Sequence, residues 1–142
     1  MKHKSLILSI LTTMFLIAGS LGMEAKPKQT KVYIFGISTS FTDSTTYITD
    51  IQTLDPAYIE TQTGFLYDRS IYSQQLQIWV EVVKKMPYTT CVVFFSENKS
   101  KLEKKFLQIR NKYSKDQSTR LQSLENGKFK FIPQEWTEHE TL

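Results

Sequence analysis

The chain has 142 residues, with 18 Lys and Arg against 14 Asp and Glu, 40% hydrophobic residues and a single cysteine. That length supports one domain with a real hydrophobic core. One cysteine excludes an internal disulfide, and the small excess of basic residues makes no case for nucleic acid as a partner.

The first residues set an expected location. Lys2, His3 and Lys4 precede the apolar run Leu6–Ala18, and the small residues Gly19, Ser20 and Gly22 follow. This is the three-part layout of a secretory signal peptide. A membrane-spanning helix needs about 20 apolar residues, and this run is shorter; an uncleaved anchor is the alternative. A lipid anchor would need a cysteine just after the run, and none precedes Cys91. Residues 1–22 are therefore read as a signal peptide, cleaved after Gly22 or Ala25. The expected location is exported, periplasmic or secreted, with no membrane span after cleavage. Lys2 and Lys4 leave with the leader and no acid does, which halves the basic excess from four to two.

Residues 23–30, with Lys26, Pro27 and Lys28, read as a linker to a single domain at 31–133. Lys31–Ile37 is the first strand. Tyr33, Phe35 and Ile37 alternate with Val32, Ile34 and Gly36, so both faces are apolar and the strand should be central and covered on both sides. Ser38–Thr46, rich in Ser and Thr around Asp43, marks a loop. Tyr47–Leu54 mixes Tyr47, Ile48 and Ile51 with Thr49, Asp50, Gln52 and Thr53, which predicts a more exposed strand. Asp55-Pro56 should end it, because proline donates nothing to a ladder. Residues 57–68 are irregular, with Gly64 at a turn and room for a short strand at 64–67.

Asp68 or Ser70 can cap a helix that runs to about Lys85. Tyr72, Leu76, Trp79, Val83 and Met86 recur at helical spacing, and Ile71, Ile78 and Val82 widen the stripe. Pro87 stops the helix. Residues 89–95 form a strand that is apolar on both faces and therefore reads as central. A second helix follows from Ser96–Ser100, with Ser100 and Glu103 spaced as a capping box. Its buried stripe is Leu102, Phe106, Ile109 and Tyr113; Lys101, Lys104, Lys105, Arg110 and Lys112 occupy much of the remainder. Ser114–Gly127 reads as a polar connection. Phe129 and Phe131 alternate with Lys128 and Lys130, giving a one-sided last strand that Pro133 ends. Residues 134–142 read as a flexible acidic tail.

The expected architecture is α+β, with α/β as the alternative: a single sheet of about four strands and two packed helices in the order β-β-α-β-α-β.

Few residues point to chemistry. After loss of the leader only His139 remains, in the tail, so a histidine-activated nucleophile has no evident base. One cysteine and one tail histidine do not make a zinc site, no Gly-rich phosphate loop is present, and no cofactor or metal is expected. Cys91, in the apolar run Tyr88–Phe95, reads as a small buried core residue. Asp43, Asp50, Asp55, Glu60 and Asp68 surround the connections after the first strands. A pair among them, Asp43, Asp50 and Asp68 above all, could serve acid–base hydrolysis. Tyr58, Phe65 and Tyr67 fall in the irregular stretch and are candidates for an exposed platform for a sugar ring or a peptide. Lys101, Lys104, Lys105 and Lys112 are candidates for an anionic ligand.

The segments Val32-Tyr-Ile-Phe-Gly-Ile37, Tyr47-Ile-Thr-Asp-Ile-Gln52, Gly64-Phe65 and Thr90-Cys-Val-Val-Phe-Phe95, with the Lys-rich helix after them, resemble a family of small exported proteins of unknown function from Bacteroidales-type bacteria. The resemblance spans nearly the whole mature chain. It implies a Gram-negative envelope or secreted location and carries no active site to transfer. Residues 90–132 also resemble one half of the sporulation-related repeat that binds cell-wall glycan, where a strand ends in a Ser-containing turn before an amphipathic helix, as in Cys91–Ser96. Phe41–Leu54 departs from that repeat, because it does not read as a helix. The reading that follows is a non-catalytic envelope binding module for glycan or protein. The alternative is a small carboxylate-dependent hydrolase.

Overall fold

The computed structural model describes residues 26–124 and 128–138; the expected signal peptide and His139 lie outside them. The apolar run starting at Val32 forms the middle of β1 (Lys28–Ser40). Its alternation sends Val32 and Ile34 into one buried cluster and Phe35 and Ile37 into another on the opposite face of the sheet. β1 starts three residues earlier than the apolar pattern predicts, so part of the expected linker is already strand.

β2 (Thr45–Thr49) and β3 (Gln52–Ile59) follow as two pieces of one long return strand, interrupted at Asp50 and Ile51. Both pair antiparallel with the same edge of β1, β2 beside Ile37 and Ser38 and β3 beside residues 28–34. Thr49 bridges the interruption, because its Oγ1 accepts from the Gly36 amide at 2.9 Å and donates to the Asp50 carbonyl at 2.9 Å. Two expectations fail here. All five β2 residues are buried, and the threonines are suited to a covered strand because their hydroxyls find partners, Thr49 at the Asp50 carbonyl and Thr46 at the Thr119 hydroxyl. Pro56 sits inside β3 rather than ending it. The ladder shifts register between Thr30 and Val32 opposite Leu54–Ala57, and a bulge is where a residue without an amide proton fits.

α1 (Arg69–Val83) covers one face of the sheet through Tyr72, Leu76 and Val80, with Trp79 packed beside them. Asp68 occupies the N-cap position in a left-handed conformation, φ 55°, but its side chain makes no capping bond. The buried stripe is narrower than its periodicity implies, and Ile78, Val82 and Val83 are exposed. Gly36 permits the close approach of this layer: a Cβ there would lie 2.7 Å from Leu76 Cδ2 and 3.3 Å from Phe131 Cζ.

β4 (Thr89–Ser96) pairs antiparallel with the free edge of β1 from Tyr33 to Ser40. α2 (Lys99–Lys115) then covers the opposite face with Leu102, Phe106, Ile109 and Tyr113 around Phe35, Ile37 and Ile48. Its cap is Asn98, whose side chain accepts from the Lys101 amide at 3.2 Å, not a Ser100–Glu103 box. β5 (Arg120–Leu124) runs parallel to β2 and forms the sheet's outer edge. The order across the sheet is therefore β4-β1-β2-β5, with β3 continuing the β2 position. Among the described residues the architecture is α+β, a five-stranded mixed sheet with one helix on each face, one strand more than expected.

The segment expected to be the last strand is not in the sheet. Phe129 and Phe131 are buried on the α1 face as their alternation predicts, where they pack edge-to-face with each other at 4.8 Å and with Trp79 and Tyr72. Their backbone is paired by side-chain amides instead of a ladder. Gln52 Nε2 donates to the Phe129 carbonyl at 2.9 Å, and the Phe131 amide donates to Gln52 Oε1 at 2.8 Å. Gln75 does the same for both backbone groups of Ile132. Of the expected tail, Gln134 is held by its amide donating to the Tyr72 hydroxyl at 3.0 Å, and Trp136 is half-buried; 139–142 lie outside the described residues.

Candidate functional site

β4 was expected to be central because both its faces are apolar, yet it pairs only with β1. The two helices cover its faces in part, burying Val93 and leaving Val92 exposed, and its outer edge has no strand partner among the described residues. Backbone N–H and C=O groups alternate in direction along a strand, so about half of those in β4 point away from β1. Natural edges are usually blunted by charge, proline or a bulge. The sequence of β4, TTCVVFFS, has no charge and no proline, and its register against β1 is continuous over all eight residues. Val92, at mid-strand, is 50% exposed.

Clefts line both sides of this edge. On the α1 side a cleft of about 630 Å³ is bounded by Cys91 and Val93, the first turns of α1 at Arg69 and Ser73, and Phe65. On the α2 side a cleft of about 580 Å³ is bounded by Val92, Phe94, Lys101, Lys104 and Lys105. Arg69, Val92 and Val93 line both, so the two form one groove that straddles the edge. A smaller pocket extends it along Thr90 and Val92 toward Lys105 and Lys112.

The electrostatics are one-sided. The α2-side cleft has four basic residues in its lining, Arg69, Lys101, Lys104 and Lys105, and no acid. Lys105 Nζ lies 5.7 Å from the centre of the Phe94 ring, and the Arg69 guanidinium lies 5.4 Å from that of Phe65, distances at which a cation and a ring attract. The lysine stems thus cover apolar surface while their charges stand at the rim of the groove.

No protein-family model, no curated protein and no solved structure matches the chain.

Of the residues singled out in the sequence, the structure brings Phe65, Lys101, Lys104, Lys105 and Lys112 to this groove. Tyr58 and Tyr67 are half-buried neighbours, joined by a bond from the Tyr67 amide to the Tyr58 carbonyl at 2.8 Å, and neither lines the groove. Phe65, 53% exposed, is therefore the one member of the expected aromatic platform that faces it. Arg69 and the β4 edge went unforeseen. Arg69 looks like any helix-start residue, and an open edge leaves no mark on the composition of its own strand.

The carboxylates disperse. Asp43 is exposed in the β1–β2 turn, where the Thr45 amide, donating at 2.8 Å, holds its carboxyl below the ordinary value. Asp50 accepts from the Gln52 side chain at 3.0 Å, and Asp55 is exposed on β3. Glu60 and Asp68 line the α1-side cleft together, Glu60 accepting from the Thr63 hydroxyl at 2.8 Å. Among the described residues no group of three His, Cys, Asp or Glu side chains is placed to hold a metal ion. Cys91 is half-buried rather than enclosed. Burial pushes its thiol up, against the smaller opposite pull of the Ser38 and Thr89 hydroxyls, so it favours the unreactive protonated form. No helix among the described residues is long and apolar enough to cross a membrane.

Proposed function

We propose that this protein is an exported, non-catalytic binding module of the bacterial envelope that holds its partner along the β4 groove. The observation that carries the reading is the pairing of an open, uncharged strand edge with a row of cations beside it. Eight residues of strand extend about 27 Å, which suits an elongated ligand better than a compact one. A protein partner fits better than a glycan, because free backbone groups on β4 match those of another chain, while the groove rings Phe65 and Phe94 each already carry a cation, Arg69 and Lys105, over the face a sugar would stack on. The basic–apolar–small start of the sequence supports the envelope location.

The experiment is a pull-down of purified protein with envelope extract and, separately, with protein-free cell-wall sacculi. Retention of extract proteins that is lost in a Phe65→Ala, Val92→Asp variant supports the reading. Retention by sacculi alone would assign the groove to glycan. The hydrolase alternative rests on Glu60 and Asp68 sharing one cleft; turnover of a glycan substrate that disappears in Asp68→Asn would replace the binding reading.

A further inference from the structure

We infer that the occupant of the β4 edge is an extended acidic segment of another protein chain, which adds to β4 as a sixth strand and aligns its carboxylates with Lys101, Lys104 and Lys105. This deepens the binding-module reading and rests on it. Strand addition needs an edge with unpaired backbone groups, room on both faces for alternate side chains, and something to fix which chain binds. The unbroken register of β4 against β1 supplies a straight template. The groove on either side of the edge gives room for side chains that alternate in direction. Side chains on the α2 face meet four cations and no acid, so every second residue of the incoming strand is selected to be acidic. Those on the α1 face meet Val93, Cys91 and Phe65 beside Ser70, Ser73, Glu60 and Asp68, whose carboxylates disfavour an acid there, so the intervening residues are selected to be uncharged.

A second copy of the chain fits this edge poorly. Two β4 strands joined antiparallel about a two-fold axis normal to the sheet would put both α2 helices on the same side of the joined sheet. The lysine rows would then face each other across the seam, a like-charge arrangement that costs association. Opposite charge on the occupant removes that cost.

The probe is a fluorescein-labelled eight-residue peptide of alternating Glu and Val with blocked termini, titrated into the full protein at low and moderate salt. A Lys–Val peptide and a Glu–Val peptide N-methylated at alternate amides serve as controls, and hydrogen exchange is followed at β4. Binding should be saturable and should weaken with salt. It should fall about tenfold or more on N-methylation, which removes the ladder donors, and be undetectable for Lys–Val. Outward-facing amides of β4 should exchange more slowly with peptide bound. The triple variant Lys101→Glu, Lys104→Glu, Lys105→Glu should reverse the preference, and the milder Lys104→Gln, Lys105→Gln pair should weaken Glu–Val binding in the same direction.

Peptide binding without slowed exchange at β4, or equal binding of Glu–Val and Lys–Val, overturns the inference. If the peptide fails while envelope proteins are still retained in the pull-down, the acidic-strand inference falls and the binding-module reading stands. If both fail, both fall. A doubled mass in solution, with β4 amides protected without peptide, would assign the edge to a second copy and also overturns it.

Discussion

Ser38 and Thr49 are both fully buried, and their hydroxyls fare differently. Thr49 Oγ1 is the partner of the Gly36 amide at the point where the β1 ladder passes from β2 to β3, and it also donates to the Asp50 carbonyl. Thr49→Val keeps the shape and leaves that amide without a partner, which should cost about 1–3 kcal/mol. Ser38 Oγ has no partner in good hydrogen-bond geometry among the described residues; the Cys91 thiol beside it in the ladder is close enough to feel its pull but is a weak acceptor. Ser38→Ala removes an unsatisfied buried hydroxyl and should stabilise the fold by about 1 kcal/mol. Urea unfolding of the two variants beside the parent checks both. A loss of stability in Ser38→Ala comparable to that in Thr49→Val would show that the serine is bonded after all.

The sequence pattern is legible where side-chain periodicity meets a covered face. The α2 stripe at Leu102, Phe106, Ile109 and Tyr113 and the two-faced apolar run of β1 are of this kind. What the pattern hides has one cause: side-chain alternation reports which faces are covered and says nothing about which edges are paired. β4 reads as central from its faces and is an edge. Phe129 and Phe131 alternate as a strand would, but the Gln52 side chain supplies their backbone hydrogen bonds, and Gln75 supplies those of Ile132. β5 is hidden in the sequence because Arg120, Gln122 and Ser123 leave it no apolar run, although Leu124 is buried. The Gln52 amide is the more informative of the two clamps, since its bonds are part-buried and tie two residues, Phe129 and Phe131, while those of Gln75 are exposed and tie Ile132 alone. Gln52→Leu should cost about 1–3 kcal/mol and should speed exchange of the Phe131 amide more than that of β1 amides. Equal effects on both would mean that the segment is not an independent clamp.

The turns carry a pH signature. The Thr45 amide lowers Asp43, and the Ser118 hydroxyl and amide lower Asp116, each from an ordinary 3.8. A carboxyl lowered on folding contributes stability that is present above its unfolded value and is lost as pH falls through the folded one. Stability should therefore decline below about pH 3.8, and the decline between pH 6 and pH 3 in urea midpoints should shrink in an Asp43→Ala, Asp116→Ala variant. An unchanged decline would place the acid sensitivity elsewhere.

Across the molecule, positive charge is concentrated on α2, where Lys112 and Lys115 suit the last turn but the cations of the first turns weaken the fold. α2 carries Lys99, Lys101, Lys104, Lys105, Arg110, Lys112 and Lys115 against Glu103 alone, and its first turn has no acid. The N-terminus of a helix is the positive end of its dipole and favours carboxylates. Lys99 and Lys101 stand there instead, and Lys101 also lies one turn from Lys104 and Lys105, at spacings where like charges repel. This arrangement sits on the side of the groove where an acidic strand would lie, so the same charges that destabilise the free protein would hold that ligand. Lys101→Glu separates the two effects. It reverses the charge at the helix start and makes a favourable Glu-to-Lys pair with Lys105, which should raise stability by about 0.5–1.5 kcal/mol at low salt. The gain should shrink as salt screens the charges, while binding of the acidic peptide weakens at every salt concentration where the parent binds. Thermal unfolding in 10 mM and 300 mM NaCl, run beside the peptide titration, reads both quantities. A variant less stable than the parent would mean that Lys101 makes a structural contact outweighing its charge, and a stabilised variant that binds the peptide as well as the parent would remove Lys101 from the groove's ligand contacts.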